Sequence, residues 1–322
     1  MLIQSHQYIE ENSGDTHHIK LNGQENDGGV WATCIMNMIL HDVKDFEIEH
    51  GNTLEEPMFK DLGGKYKKFD KILANPPFSL NYKKENLTQT SRFKWGYAPE
   101  SKKADLMFVQ HMASSLKKNG LMAVVVPHGV LFRGSKEKEI RSAMLEDNII
   151  DAVIGLPPAL FYGTGIPAAI IVVRKNRKED EKILFINADA EYAEEKARNR
   201  LRASDIEKIS YVYHNKNESS QKYSRLVSLS EIRNNEYDLN NFISLQIILT
   251  TSIIVHLIIR YQELVEKYPK VKNQKRILLN VLLSKSIPNL LPYPNDPTWF
   301  FQLLKPFSIE PYSRLSIIFL KT

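Results

Sequence analysis

The residues whose types and spacing most clearly suggest a chemical reaction are four consecutive ones, Asn75, Pro76, Pro77 and Phe78. Phe69, Ile72 and Leu73 give the preceding residues the composition of a buried strand. Proline has no backbone N–H and forces the preceding residue into an extended conformation, so this strand must end in a stiff turn. The turn places an amide, two rigidly held carbonyls and an aromatic ring where ligands bind in open α/β sheets. The alternative is a plain strand exit with a buried Phe78.

Asn-Pro-Pro-Phe resembles the catalytic signature of amino-group methyltransferases that use S-adenosylmethionine, and the resemblance implies a role for each residue. An exocyclic amine on adenine is a poor nucleophile, because its lone pair is delocalised into the ring. The Asn75 side-chain oxygen and the Pro76 carbonyl can accept its two N–H groups, which favours a pyramidal nitrogen and frees the lone pair. No general base is needed, since the methyl donor is a cationic sulfonium. Phe78 can stack on a flipped base.

Composition is that of a soluble globular protein. The chain has 322 residues, of which 43% are hydrophobic and 25% charged. A net charge of +5 permits DNA binding but does not argue for it, because such binding needs a local basic patch. One cysteine, Cys34, allows no internal disulfide and has no His or Cys cluster around it. We therefore expect a reducing, cytoplasmic location and no metal site. The N-terminus does not read as a signal peptide.

Strand and helix candidates alternate up to about residue 175, which predicts a mainly parallel sheet with helices on both faces. The strand candidates are residues 18–23, 46–50, 69–74, 121–126, 149–154 and 168–173, and the main helix candidates are 2–11, 30–42, 104–118 and 135–145. Beyond this region the chain is charged, and residues 192–202 predict a solvated helix. Residues 242–259 are uncharged and long enough to span a membrane, but their polar residues favour a buried or aggregation-prone segment.

The segment 79–103 predicts a long Lys-rich loop that contains several aromatic residues: Tyr82, Phe93, Trp95 and Tyr97. Long loops inside compact domains are usually functional or disordered. Basic and aromatic side chains together suit contact with nucleic acid. A mobile surface loop without a ligand is the alternative interpretation.

Several separated stretches occur in one order along the chain. They are Gly23-Gln24-Glu25, Met36-Asn37-Met38, Gly51-Asn52-Thr53-Leu54, Asn75-Pro76-Pro77-Phe78, Gly129-Val130-Leu131-Phe132-Arg133-Gly134 and Thr164-Gly165-Ile166-Pro167. Over about residues 1–240 the chain thereby resembles the methyltransferase (modification) subunit of type I restriction–modification systems, an N6-adenine DNA methyltransferase. Asn-Pro-Pro-Phe alone also occurs in RNA and protein-glutamine methyltransferases, and the glycine-flanked stretch makes the match more specific.

The resemblance implies a Rossmann-like, S-adenosylmethionine-dependent methyltransferase fold that methylates a flipped adenine. It implies that Glu25 binds the cofactor ribose hydroxyls, although a carboxylate at a helix start is the alternative. Asn52 stands where the family usually has Asp and would contact the cofactor adenine amine, more weakly than a charged residue. The implied partners are double-stranded DNA, a separate specificity subunit and a restriction subunit, with no membrane.

Two departures from the family pattern shape our expectations. Met1-Leu2-Ile3 aligns just after the family's glycine-rich loop, so the first strand, that loop and the preceding helical domain are expected to be absent. Residues 241–322 do not match the family. We therefore expect a truncated methyltransferase domain at 1–175, a family extension rich in helix at 176–240 and a divergent tail at 241–322, as in a fragmented or frame-shifted gene.

The missing first strand has a further consequence. In methyltransferases resembling this chain it lies mid-sheet, between the strands that end near Glu25 and Asn75. Without it the sheet must form a new pairing, recruit another segment or stay partly unfolded. The alternative function is a catalytically dead remnant that at most binds DNA or partner subunits, with no appreciable binding of S-adenosylmethionine.

Overall fold

The computed structural model describes residues 1–13, 16–101, 103–161, 165–196, 198–216, 223–243 and 315–321. Within these residues nine strands form one sheet. In chain order they are β1 (Ile19–Glu25), β2 (Phe46–His50), β3 (Phe69–Ala74), β4 (Leu116–Pro127), β5 (Ile150–Gly155), β6 (Ala168–Arg174), β7 (Ile183–Asn187), β8 (Ser224–Val227) and β9 (Leu315–Lys321).

Helices connect many of these strands. They are α1 (Leu2–Ser13), α2 (Gly28–Leu40), α3 (Asp105–Ser115), α4 (Ser135–Glu146), α5 (Ala203–Asn215), α6 (Leu229–Asn234) and α7 (Asn240–Ile243). Short 3-10 turns occupy Lys84–Asn86, Thr90–Arg92 and His128–Leu131. Asp27 illustrates why a helix begins where it does, since its side chain accepts the N–H of Val30 at 2.8 Å and caps α2.

The strand order is β2-β1-β9-β3-β4-β6-β5-β7-β8. Neighbours pair in parallel from β2 to β4, whereas β6 runs antiparallel to both β4 and β5, and β8 antiparallel to β7. Adjacent residues of β3 point into two different cores, with Ile72 in one and Leu73 in the other. Residues of α3 and α4 pack in the first core and residues of α5 in the second. The predicted sheet with helices on both faces is therefore confirmed.

The strand β9 lies in the middle of the sheet although it comes from the far end of the sequence. It pairs in parallel with β1 from Ile19↔Leu315 to Glu25↔Lys321. On its other side it pairs in parallel with β3 from Lys71↔Ile317 to Ala74↔Leu320. In the family that the sequence resembles, this position between β1 and β3 belongs to the first strand, which was expected to be absent here. Of the three outcomes considered, recruitment of another segment is the one observed.

Unbroken apolar runs form the best-buried strands. Every residue of β5 and β7 is buried, and only Arg174 of β6 is not. A strand covered on both faces needs no alternation of polar and apolar residues, which is why these sequences read as continuous runs. Because β7 and β8 continue the sheet beyond residue 175, part of the expected extension is strand rather than helix. The boundaries at 175 and 240 stay predictions.

The predicted helix at 192–202 is wrong for the described residues of that segment. Ala193 and Arg200 form an antiparallel bridge, with backbone hydrogen bonds of 2.8 and 3.0 Å. The chain there turns back on itself, so local pairing outweighs the helix propensity of its charged residues. The apolar segment 242–259 lies outside the described residues after Ile243. Among the helices that the structure does describe, none has the length and apolar character that crossing a bilayer requires.

Candidate functional site

The three strands that carry the predicted site residues end at the same edge of the sheet. Because β2, β1 and β3 run parallel, with β9 between β1 and β3, the residues after them lie at the same carboxyl edge. Gln24 and Ala74 are both level with Leu320. Glu25 and Asn75 therefore lie level with each other on either side of β9, with backbones about 10 Å apart at a spacing of about 4.8 Å per strand. Asn52 follows β2, the neighbour of β1.

Asn75 stands at the end of β3 with its side chain half-buried. Among the described residues its amide makes no hydrogen bond, so both its acceptor and its donors are available. Pro76 beside it is buried, and because it precedes Pro77 its backbone is restricted to an extended conformation. Phe78 is half-buried, and its ring meets that of Phe161 edge-on with centroids 5.9 Å apart. The ring thus contributes to packing, and its stacking on a base stays a prediction.

The loop after Phe78 is fixed at its next residue. Ser79 has a positive φ of 56° and donates its backbone N–H to Oδ1 of Asp105 at 3.0 Å. The backbone N–H of Ala104 donates to the carbonyl of Leu80 at 3.1 Å. The start of α3 therefore holds the exit of the Asn-Pro-Pro-Phe turn by two separate hydrogen bonds.

The loop after β4 packs beside the start of α3. Arg133 folds back over Gly129, where an added Cβ would lie 2.6 Å from Nη2 of the guanidinium, so a larger residue there would displace the guanidinium. Nη1 of Arg133 lies 3.4 Å from Oδ2 of Asp105 and 3.2 Å from Oε1 of Glu137. Arg141 then donates to the carbonyl of Arg133 at 3.0 Å. These contacts explain in physical terms why glycine and arginine occur together in this stretch.

Glu25 is 6% exposed at the end of β1. Its Oε1 accepts the backbone N–H of Asp27 at 2.8 Å, so the carboxylate supports the turn that leads into α2. Within the described part of the chain Oε2 has no hydrogen-bond partner and is free to accept from a ligand. A cleft of about 350 Å³ opens beside Glu25. It is lined by Met1, Leu2, Ile3, Gly23, Gln24, Glu25, Val30, Thr33, Cys34, Asn37, Met38 and Ile48.

Asn52 shapes the turn that follows β2. Its Oδ1 accepts the N–H groups of Leu54 at 3.0 Å and Glu55 at 3.3 Å. The side-chain oxygen is thus shared with the protein backbone. Its role toward a cofactor adenine stays a prediction.

A buried arginine that sequence reasoning did not identify, Arg92, stabilises the turn after β2 by hydrogen bonds to its backbone carbonyls. Arg92 is 2% exposed and donates to the carbonyls of Thr53, at 2.9 Å, and Leu54. It also lies 2.9 Å from Nδ1 of His111. Arginine has no acceptor, so Nδ1 of His111 must accept and the imidazole must be neutral. Burial, followed by the charges of Arg92 and Lys68, lowers the pKa of His111 well below its usual value.

The loop 79–103 is better packed than predicted. Tyr82 and Phe93 are buried in the core, so the nucleic-acid contact suggested for these two rings is wrong. Trp95 and Tyr97 are partly exposed and carry lysines over their faces, with Lys94 at 4.5 Å and Lys84 at 4.2 Å from the ring centroids. Spacing alone could not separate the buried rings from the exposed ones.

Across the described residues no group of His, Cys, Asp and Glu has the geometry of a metal site. The only cysteine, Cys34, is partly buried and lines the cleft next to Glu25.

Burial raises the pKa of Asp105, while the N–H of Ser79 and the charge of Arg133 act in the opposite direction. The charged groups of the site are therefore supports of its loops or acceptors at its edge.

Comparison with known proteins gives consistent matches. The family described as N-6 DNA Methylase matches residues 1–246. The type I restriction enzyme MjaVII methylase subunit of Methanocaldococcus jannaschii is 37% identical over 255 residues, covering 74% of this chain and 42% of that protein. The type I restriction enzyme MpnII methylase subunit of Mycoplasma pneumoniae is 37% identical over 227 residues. The match covers 67% of this chain and 41% of the Mycoplasma protein.

A solved structure gives the same match in three dimensions. The methyltransferase subunit of a type I restriction-modification system from Streptococcus thermophilus superposes with a TM-score of 0.66 at 31% identity. The aligned region covers 74% of this chain and 57% of that one. The chain thus spans less than half the length of the curated relatives named above.

Proposed function

Because this chain belongs to the N-6 DNA methylase family, we propose that it acts as the adenine-N6 DNA methyltransferase subunit of a type I restriction–modification system. The observation that carries the proposal is the end of β3, where the Asn75 amide has no hydrogen-bond partner among the described residues and stands next to the carbonyl of Pro76. This edge also bears Glu25, with one carboxylate oxygen free within the described residues.

The residues at this edge fit S-adenosylmethionine, which we propose as the cofactor. Oε2 of Glu25 is an acceptor suited to a ribose hydroxyl, and Oε1 fixes the side chain by holding the N–H of Asp27. The adjoining cleft, at about 350 Å³, is at the lower end of the range for small-molecule pockets. Asn52 would stand on the far side of Glu25, toward the cofactor adenine. When bound, S-adenosylmethionine supplies an electrophilic methyl group on a sulfonium.

The chain's own residues would prepare the target amine. Asn75 Oδ1 and the Pro76 carbonyl accept its two N–H groups and draw the nitrogen toward a pyramidal shape, which frees its lone pair. Pro77 keeps the turn rigid, so these acceptors need no reorganisation during the reaction. Phe78 stacks on the extruded adenine, a contact worth about 1–3 kcal/mol. Double-stranded DNA is the substrate, and separate specificity and restriction subunits are the proposed partners.

The test is methyl transfer by the purified chain, alone and with a specificity subunit, onto duplex DNA. N6-methyladenine is quantified after digestion. Asn75→Ala should lower the rate by about 10²–10³, because a placed transition-state acceptor is lost. The affinity for S-adenosylmethionine, measured by calorimetry, should stay unchanged. Asn12→Ala, on the exposed face of α1, is the matched control and should behave as the wild type.

The alternative is a catalytically dead chain that binds DNA or partner subunits only. It predicts no N6-methyladenine from the wild type under any of these conditions and no saturable heat with the cofactor. Normal turnover by Asn75→Ala would instead show that methylation occurs without the assigned residue.

A further inference from the structure

A buried carboxylate that the proposed chemistry does not use joins two loops at the site edge. Asp105, the first residue of α3, is 1% exposed. Its Oδ1 accepts the N–H of Ser79 at 3.0 Å, and its Oδ2 lies 3.4 Å from Nη1 of Arg133. One side chain therefore contacts the loop that carries Asn75 and the loop that follows β4.

The contact to Ser79 falls at a residue whose backbone conformation needs support. Ser79 has a φ of 56°, in the left-handed region that residues with a side chain rarely adopt. Such a conformation persists only when the surroundings determine it. The strand β3 fixes the chain up to Ala74, and Pro76 and Pro77 keep the next residues stiff. The direction in which Asn75 points is thus set at one end by the sheet and at the other by Asp105.

Further charged residues support the contact between Asp105 and Arg133. Glu137, which is fully buried, receives the same guanidinium nitrogen at 3.2 Å. The carbonyl of Arg133 accepts from Arg141, and that arginine also donates to the carbonyl of Tyr237 at 2.8 Å. These contacts restrict where the Arg133 guanidinium can lie, and through it they help to hold the Asp105 carboxylate against Ser79.

We propose that Asp105 is a positioning residue, which acts through Ser79 and Arg133 to set the orientation of Asn75 relative to the loop after β4. Asp105 does not itself reach the reacting atoms. Its catalytic consequence rests on the proposed function, whereas its structural consequence can be measured without activity. A displacement of about 1 Å at a reacting group can cost about 10²-fold in rate.

Asp105→Asn is the variant that tests this, because it keeps the size of the side chain. A carboxylate accepts on both oxygens, whereas an amide has one acceptor oxygen and one donor group. One of the two loops must therefore lose its partner. Hydrogen exchange should become at least about tenfold faster at Ser79 or in residues 129–134, while exchange in β4, β5 and β6 stays at the wild-type rate. Asp147→Asn, an exposed carboxylate that pairs with Lys94, is the matched control.

With an active protein, kcat of Asp105→Asn should fall about 10- to 100-fold while KM for S-adenosylmethionine stays within about twofold. A purely structural role would instead accelerate exchange throughout the sheet and lower the melting temperature without this split. Wild-type exchange at both loops in folded Asp105→Asn would overturn the inference. An inactive wild type would count against the proposed function alone, because the exchange comparison between the two proteins would still decide the role of Asp105.

Discussion

The sheet divides at β3 into two sides that hold their site residues by different means. The side proposed to bind the cofactor, called the cofactor side, consists of β1, β2 and β9 with α1 and α2, and its core is a small cluster formed by Leu2, Ile9, Ile19, Leu21, Met38 and Val43. The side proposed to bind the target base, called the target side, consists of β3 to β8 with α3 to α5, and two larger cores cover its two faces. Glu25 belongs to the first side and Asn75 to the second.

Helix burial shows the same contrast. In α2 the apolar side chains Met36, Ile39 and Leu40 are 59%, 62% and 73% exposed. In α3 ten of the eleven residues are buried, including the polar Gln110 and His111. The target side is also cross-linked by buried charges, whereas the cofactor side depends on a strand delivered from the far end of the sequence. We infer that the cofactor side is the weaker of the two.

The largest expected effect is the loss of β9. Ile318 is level with Asn22 of β1 and with Ile72 of β3, so proline there interrupts the middle of a central strand. Each buried backbone group left unpaired costs about 1–3 kcal/mol. Ile318→Pro should lower the free energy of unfolding by about 5 kcal/mol or more, close to the whole stability of a domain. Chemical denaturation measures the loss.

Proline at the first residue of β9 is the matched control. Leu315→Pro should be tolerated much better, since the first position of a strand can spare its N–H. Equal stability of the two proline variants would mean that β9 does not carry the cofactor side, and the contrast between the two sides would have to be abandoned.

On the target side the strongest single effect is expected at Asp151. It is 1% exposed and contacts Arg174 at 2.9 Å, Lys216 at 2.8 Å and the Tyr213 hydroxyl at 2.7 Å. Asp151→Asn should cost about 3–5 kcal/mol, because it takes a counter-charge from the buried Arg177 and from the partly buried Arg174 and Lys216. Urea denaturation at pH 7 is the measurement. Asp42→Asn, which removes one charge from an ion pair between two exposed side chains, Asp42 and Lys44, should cost less than about 1 kcal/mol.

The pH dependence of Asp151 follows from the same contacts. Burial opposes its ionisation, but Lys216, Tyr213 and Arg174 outweigh burial and lower its pKa to about 2. A carboxyl with a lowered folded-state pKa stabilises the protein above its unfolded value, about 3.9, and loses that contribution as pH falls toward 2. Acid titration should therefore show a steeper loss of stability for the wild type than for Asp151→Asn.

A smaller effect at milder pH is expected from His111, whose pKa is lowered by burial, Arg92 and Lys68. In the unfolded chain His111 binds a proton near pH 6.5, whereas in the folded protein it stays neutral at that pH. The free energy of unfolding should therefore fall as the pH drops below about 6.5. The slope is at most about 1.4 kcal/mol per pH unit for one proton. His111→Gln should flatten the profile of unfolding free energy between about pH 5 and 6.5, as measured by urea denaturation at several pH values in that range.

The smallest effect should come from the exposed face of α2. Ile39→Ala should change the free energy of unfolding by less than about 0.5 kcal/mol, because the side chain is 62% exposed. Met38→Ala, one residue earlier but 1% exposed, should cost about 2–5 kcal/mol. If both changes proved equally costly, the exposed face of α2 would have to be covered in solution, and the cofactor side would be better packed than described.

Much of the target side could be predicted from the sequence, because several of its strands are continuous apolar runs, which predict buried strands. The direction of β6 could not, since an apolar run such as 168–173 carries no sign of parallel or antiparallel pairing. The strand β7 is hard to predict because Ile183–Asn187 is short and stands among charged residues that favour a helix. The strand β9 was beyond sequence reasoning, since its partners are set by a distant gap in the sheet.

For the site, the strand ends gave the positions of Glu25 and Asn75 because ligands gather at the carboxyl edge of parallel strands. The roles of these residues, and of Asn52 and Phe78, stay predictions. The supports of the site could not be found in this way. An acidic residue at a helix start, such as Asp105, is usually explained by the helix dipole. Only the fold reveals that its oxygens join two loops.

The remote origin of β9 has a consequence for the order of events when the chain is made. Ile19 pairs with Leu315, so the ribosome must add nearly 300 residues after β1 before β1 and β3 obtain their shared neighbour. Until then two strand edges stand open in the nascent chain, and open edges invite pairing with other chains. Closing so long a loop adds only a modest entropic cost, because that cost grows with the logarithm of loop length. Production of this protein should therefore be limited by aggregation of the unfinished chain, and slower synthesis would prolong the exposure.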